Sequence, residues 1–297
     1  MKKQSIFLVI VLIQFGIANG QKNFTLAPVS DHYNALQALN ALPNGQRAWM
    51  DTIKYPPAEY GTSIVYLLVK PYYLSDGQVK ELRESVKFPA NSSDQVRKEL
   101  DYLLELQDMR TPEQIKRVEF LSNIGYWPSV NMVPSHPSYE ENLQHLFFEG
   151  RELIGDKVNA NKFPKISKLL QGVMQDTRIM EFTIKYRLLR PRPYHLEPRL
   201  KPLTKINSPS FASGHTLWAF IQAFTWSEIV PEMQPRFIAL AEEIRRSREI
   251  MGIHYPSDNE ASRQVAYKMM QYYFQNPAFK SDLKEAVLEW EKQSGKL

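Results

Sequence analysis

From about residue 95 onward, apolar positions recur at helical spacing. Val96, Leu100, Leu103, Leu104 and Leu106 predict a helix over 96–106. Thr111-Pro112-Glu113-Gln114 reads as a helix start, with Thr as N-cap, Pro at the first helical position and Gln at the third. Leu143, Leu146, Phe147 and Leu153 continue the pattern over 142–154. Ile166, Leu169, Leu170, Val173, Ile179, Phe182 and Leu189 predict the longest helix, 166–189, which Pro191 and Pro193 would end. The stretch 216–230 is apolar around most of its circumference (Leu217, Trp218, Phe220, Ile221, Phe224, Trp226), so a central buried helix is expected there. Three further helices are predicted over 235–251, 260–274 and 281–290. There is no strand–helix–strand rhythm and no internal repeat. The expected fold class is all-α, a single compact helical domain.

Residues 21–95 read differently. Pro56-Pro57, Pro71 and Pro89 break up any long period, so an irregular N-terminal segment packed on the helical body 96–297 is expected. Ile64 to Val69 is a short apolar run that suits either a strand or one side of a buried helix. Asn23-Phe24-Thr25 and Asn91-Ser92-Ser93 match the N-glycosylation pattern, which has meaning only in a eukaryotic secretory route. Residues 1–20 have the layout of a cleaved secretory signal: Lys2 and Lys3, an apolar run from Ile6 to Ile13, then Ala18-Asn19-Gly20 before Gln21. Cleavage near Gly20 and a periplasmic or secreted location are expected. The run is shorter than the ~20 residues a membrane span needs, and no later stretch is long enough, so stable membrane insertion is not expected.

Composition narrows the chemistry. The 297 residues carry a formal charge of +5, too small an excess to imply nucleic acid without a local cluster. Cysteine is absent, which removes disulfides, thiolate metal sites and Cys nucleophiles.

Three clusters remain. Lys185, Arg187, Arg190 and Arg192 place four cations in eight residues, ending between two prolines that restrict the backbone at Arg192. Lys185 and Arg192 share a face if the helix persists that far. Guanidinium groups suit bidentate phosphate contact, but a solvated basic helix end explains the cluster equally well. Ser210-Phe211-Ala212-Ser213-Gly214-His215-Thr216 leads small residues into the apolar helix. Ser213 and Gly214 would present backbone N–H groups at a helix N-terminus, and His215 could donate a proton there. A plain Ser cap with a structural His is the competing reading. In Ser247-Arg248-Glu249-Ile250-Met251-Gly252-Ile253-His254-Tyr255-Pro256-Ser257-Asp258, Arg248 is another phosphate-binding candidate. Asp258 could fix the tautomer of His254 four residues earlier, or cap the following helix. Taken together, two His, one Asp and several cations would repel a metal ion and suit a tetrahedral oxyanion.

Lys185-x6-Arg192-Pro193, then Ser213-Gly214-His215, then Ser247-Arg248-x3-Gly252-x-His254-x3-Asp258 resemble, in order, the three signatures of the PAP2 phosphatase superfamily. Within it the chain looks most like the secreted class A bacterial acid phosphatases, which are related to vanadium-dependent haloperoxidases. The resemblance covers about residues 100–270. It implies an all-α fold of the phosphatase/haloperoxidase type and a metal-independent acid phosphatase acting on phosphate monoesters through a phosphohistidine. By the same resemblance His254 is the nucleophile, Asp258 its orienting partner and His215 the general acid. Lys185, Arg192, Ser213, Gly214 and Arg248 hold the phosphate. No cofactor is implied, and vanadate is expected to bind as a phosphate mimic. The second signature usually has Pro where this chain has Ala212, which suggests a less rigid loop.

The alternatives are a vanadate-dependent haloperoxidase, a phosphatase of lipid or polyprenyl (pyro)phosphates, and a phosphate-binding protein without turnover. The expected partner is a small phosphomonoester; nucleic acid is not expected, and homo-oligomerisation stays open. Tyr126, Trp127 and Pro134–Pro137 are weak candidates for leaving-group contacts. His32, His136, His145 and His195 have no catalytic role in this reading, although His195 could line the pocket.

Overall fold

The computed structural model describes residues 29–122, 137, 139, 143, 153–155 and 157–295. The predicted leader, Asn23, Tyr126, Trp127, His136, His145 and most of the helix expected over 142–154 lie outside them. Among the described residues the regular elements are helices, with no strand. They are α1 (Asp31–Gln37), α2 (Asp76–Ser85), α3 (Asp94–Asp108), α4 (Pro112–Leu121), α5 (Pro164–Leu188), α6 (Pro193–Leu196), α7 (Gly214–Ile229), α8 (Gln234–Ile250), α9 (Pro256–Tyr273) and α10 (Pro277–Ser294). Among the described residues no helix is long and apolar enough to cross a membrane.

Local chemistry sets most of the boundaries. Thr111 accepts from the Gln114 N–H, and the Gln114 side chain returns the bond to the Thr111 N–H, a complete capping box with Pro112 at the first position. Ser93 and Asn276 cap α3 and α10 through their side chains. The end of α5 falls within one residue of the predicted 166–189. Leu189 takes the left-handed conformation (φ 51°) and returns its N–H to the Lys185 carbonyl, so the helix ends at Leu188, before Pro191 is reached. Arg192 therefore does not reach the face of Lys185 by helical continuation; it follows a turn, in extended backbone.

Helix α7 is the hub of the fold and packs on α5, α8, α9 and α10. Every residue from Thr216 to Ser227 is buried, as the apolar circumference predicts. Two of its hydroxyls turn back on the helix itself, Thr225 to the Ile221 carbonyl (2.8 Å) and Ser227 to the Ala223 carbonyl (2.6 Å). Trp226 meets Phe237 of α8 and Trp290 of α10. Each Phe-sized side chain buried in this way is worth about 1.5–3 kcal/mol.

The N-terminal segment contains α1, α2 and three short 3₁₀ helices, among them Thr62–Leu68. That last element corrects the strand or buried-helix reading of 64–69. Only Tyr66 is buried in it, stacked on Phe182 of α5, while Leu67 and Leu68 face outward. A lone extended run has no neighbour to pair with, whereas a 3₁₀ turn satisfies part of its own backbone. The segment is tied to α5 by Asp176, whose carboxylate accepts the backbone N–H groups of Tyr72, Tyr73 and Leu74. Asn91 is buried and donates to the Met50 and Ile53 carbonyls, so the folded chain offers no glycosylation site there.

Candidate active site

A cavity of about 490 Å³ opens where α5, the 190–193 turn, the start of α7 and the loop before α9 meet. Five of the eight predicted site residues line it: Lys185, Arg192, Gly214, His215 and His254. Ser213, Arg248 and Asp258 are not among its lining residues; all three are buried just behind it.

His254 and Asp258 form the best-defined pair. His254 Nδ1 lies 3.0 Å from Asp258 Oδ2. A carboxylate only accepts, so Nδ1 carries the proton and Nε2 presents a lone pair. Arg192 Nη1 donates to that lone pair at 2.9 Å. Burial, then Arg192, hold the imidazole pKa well below its ordinary value, with the Asp258 bond acting in the other direction. Asp258 is itself satisfied from several sides: Oδ2 also accepts from Ser210 Oγ (2.6 Å) and the Tyr255 N–H (3.1 Å), and Oδ1 accepts from Arg190 (2.6 Å). Burial pushes its pKa up, but Arg190 and the His254 bond outweigh burial and leave it below the usual carboxylate range. The helix starts at Pro256, four residues before the expected 260, so Asp258 is not its N-cap; from the third position one carboxylate bonds both His254 Nδ1 and the N–H of the N-cap residue Tyr255.

The cations are built in. Lys185 Nζ donates to the Pro209 carbonyl (2.6 Å) and the Ser210 carbonyl (3.3 Å), and burial with Arg192 pushes its pKa down to about 7. Arg192 donates to the Ser208 and Ile253 carbonyls and to Ser208 Oγ. Its backbone N–H is held by His195 Nδ1, and His195 Nε2 lies 3.2 Å from Glu59; His195 supports Arg192 and does not line the cavity. Arg190 is fully buried, whereas Arg187 is exposed; a solvated helix end describes only Arg187.

Residues 168–280 match the PAP2 superfamily. All eight predicted residues fall inside that range. The chain is 31% identical over 147 residues to a non-specific acid phosphatase of Providencia stuartii, covering 48% of this chain and 59% of that protein. It is 27% identical over 149 residues to a non-specific acid phosphatase of Salmonella typhi, covering 48% and 58%. The matches thus span a little over half the length of these relatives. In three dimensions the chain resembles a bacterial vanadium-dependent iodoperoxidase, with a TM-score of 0.54 and 18% identity over 83% of this chain and 64% of that one. Residues 168–280 are thus the part of the chain that resembles the PAP2 superfamily.

In this PAP2-like region the second signature stands at the start of α7. Ser213 is the N-cap residue without a side-chain capping bond; its hydroxyl pairs with Thr216 Oγ1 (2.9 Å) and its carbonyl accepts from Ser262. A simple Ser cap is therefore not what it is. Ala212 is fully buried beside Phe211, which packs on Phe88, so burial immobilises the loop where the usual Pro is missing. His215 Nε2 lies 2.9 Å from the Ser122 carbonyl, so Nε2 carries a proton, and its ring stacks on Trp218. Burial and Arg248 hold its pKa well below the ordinary imidazole value. Arg248 bonds Ser247 Oγ (3.1 Å) and the Val118 carbonyl (3.4 Å), with its pKa pushed down to about 9 by burial and Arg192. Gly252, at φ 72°, makes the turn that carries the chain from α8 to His254.

Sequence reading left four residues of this site without a role. Arg190 stacks on Tyr255 (3.8 Å) and bonds Asp258, Ser257 and Glu99. Glu99 of α3 accepts from the N–H and hydroxyl of Ser257; nothing in the local sequence distinguishes it from the other acids of α3. Arg178 and Glu181 line the cavity from α5 and form an ion pair at 2.7 Å. The spacing of 178, 181 and 185 puts all three on one helix face, a signal present in the sequence.

Proposed function

We propose that the chain is an acid phosphatase that hydrolyses phosphate monoesters through a phosphohistidine on His254. The observation that carries this reading is the pairing of His254 Nδ1 with Asp258, which leaves the Nε2 lone pair in a cavity lined by Lys185 and Arg192. His254 Nε2 attacks phosphorus, and the bond from phosphorus to the leaving oxygen breaks. Protonated His215 gives that oxygen its proton. Water then attacks the phosphohistidine, passes a proton to the now neutral His215, and the P–N bond breaks to release phosphate. Arg192, which rests on Nε2, transfers its hydrogen bond to a phosphoryl oxygen as the P–N bond forms. Lys185, Arg192 and the Gly214 N–H stabilise the charge that develops on the equatorial oxygens, and Arg248 adds its field from behind the cavity. Proton donation of this kind is worth about 10²- to 10⁴-fold. This route uses no metal. We further propose that residues 1–20 are removed on export, so that the mature chain begins near Gln21.

The test is phosphate release from p-nitrophenyl phosphate between pH 4 and 8 with excess EDTA, followed by an alkaline quench and mass spectrometry. Turnover with an acidic optimum and a phosphate adduct on the peptide containing His254 is the expected result. No phosphate release at any pH, or halide oxidation with vanadate in its place, overturns the reading.

A further inference from the structure

Gly214 has no room for a side chain. A Cβ at that position would overlap the carboxylate of Glu181, which lies flat against the Gly214 backbone. The group against the Cβ side of this glycine is thus one of the protein's own carboxylates. Glu181 is buried, lines the cavity, pairs with Arg178 Nη1 at 2.7 Å and stands 3.9 Å from Lys185 Nζ. Arg178 is held in turn over the rings of Tyr66, Phe182 and Trp218. The charged and titratable groups around Glu181 are Arg178, Lys185 and Tyr186 on its own helix, with Arg192, Lys205, His215 and His254 contributed by the surrounding elements.

A carboxylate inside an anion cradle has a specific consequence. It can only accept hydrogen bonds, and it repels every ligand oxygen that carries no proton. A phosphoryl group that keeps one P–O–H can donate to it; a fully ionised one cannot. We propose that Glu181 is a specificity-determining residue that makes this cavity select the protonated, singly charged phosphoryl group over tetrahedral dianions. This rests on the phosphatase reading and refines it, since the substrate class becomes the monoanion of a phosphate monoester, the form that prevails in mildly acidic medium.

Inorganic phosphate and sulfate separate the possibilities. They have the same shape, but at pH 5 phosphate is a monoanion with P–O–H groups and sulfate is a dianion with none. Titration calorimetry on the full chain at pH 5 should show phosphate binding at least about tenfold tighter than sulfate. Glu181→Gln keeps the size and can donate as well as accept, so it should lower that ratio about tenfold. Equal binding of the two anions by the unmodified chain overturns the proposal without need of a variant. So does an E181Q protein that folds, by circular dichroism, and loses both anions equally, because that marks Glu181 as a mere anchor for Arg178 and Lys185. If the unmodified chain binds neither anion, the phosphatase reading itself falls, and this refinement with it.

Discussion

Asp258 Oδ2 sits 3.0 Å from His254 Nδ1 and, through the same oxygen, accepts the Tyr255 N–H at the first turn of α9. The orientation of the imidazole is therefore as firm as the start of a buried helix. His254→Ala should fold and bind phosphate normally and lose turnover. Asp258→Asn should keep phosphate affinity within a few fold while lowering kcat by on the order of 10²–10⁴, since an amide can no longer fix the Nδ1–H tautomer. Steady-state kinetics with a phosphate-inhibition series checks both.

Arg190 supports this pair from behind. It is fully buried between the Tyr255 and Phe88 rings, with Asp258 and Glu99 as counter-charges. Arg190→Met removes one charge from a buried network and leaves two carboxylates facing each other. A loss of about 3–5 kcal/mol in urea unfolding is expected, together with a fall in kcat. A stability change under 1 kcal/mol would show that the network is not energetically coupled.

Gly214 and Glu181 should behave as one unit. Gly214→Ala forces the new methyl into the Glu181 carboxylate, a shift that costs about 1–3 kcal/mol by overpacking. Glu181→Ala opens that space. The double variant should recover at least half of the G214A loss, a coupling energy above about 0.5 kcal/mol in a double-mutant cycle. Additive effects would mean that the two residues do not meet.

The pH dependence has a definite sign. In the proposed route His215 is protonated to act as the acid, and its pKa in the free site is held below the ordinary imidazole value of about 6.5 by burial and Arg248. As pH rises through the lowered value the proton is lost, so kcat/KM should fall with an alkaline limb below about pH 6.5. Bound phosphate brings negative charge that favours the imidazolium, so the alkaline limb of kcat should lie at higher pH. Coincident limbs would show that the bound anion does not act on His215.

Much of this protein was legible in its sequence because the physics involved is local. Apolar spacing located α3, α5, α7, α8, α9 and α10 to within a few residues, and Thr111 with Gln114 marked the start of α4, because a 3.6-residue period and a capping side chain act over one or two turns. The three signatures placed Lys185, Arg192, Gly214, His215 and His254 on one cavity, since each signature stands at a helix boundary that faces it. Tertiary structure decided what depends on residues far apart in the chain. Glu99 meets Arg190 across 91 positions, and Tyr66 reaches Phe182 and Arg178 from a 3₁₀ helix in a run that reads as either a strand or one side of a buried helix. Leu189 closes α5 before Arg192, so Lys185 and Arg192 converge through a turn and not along one helix face. Glu181 against Gly214 belongs to the same group: helical spacing put the acid beside Lys185, but only the packing of α5 on α7 brought its carboxylate to the glycine. Hydrophobic periodicity records which face of a helix is buried, and the docking of the other helices determines which residue that face meets.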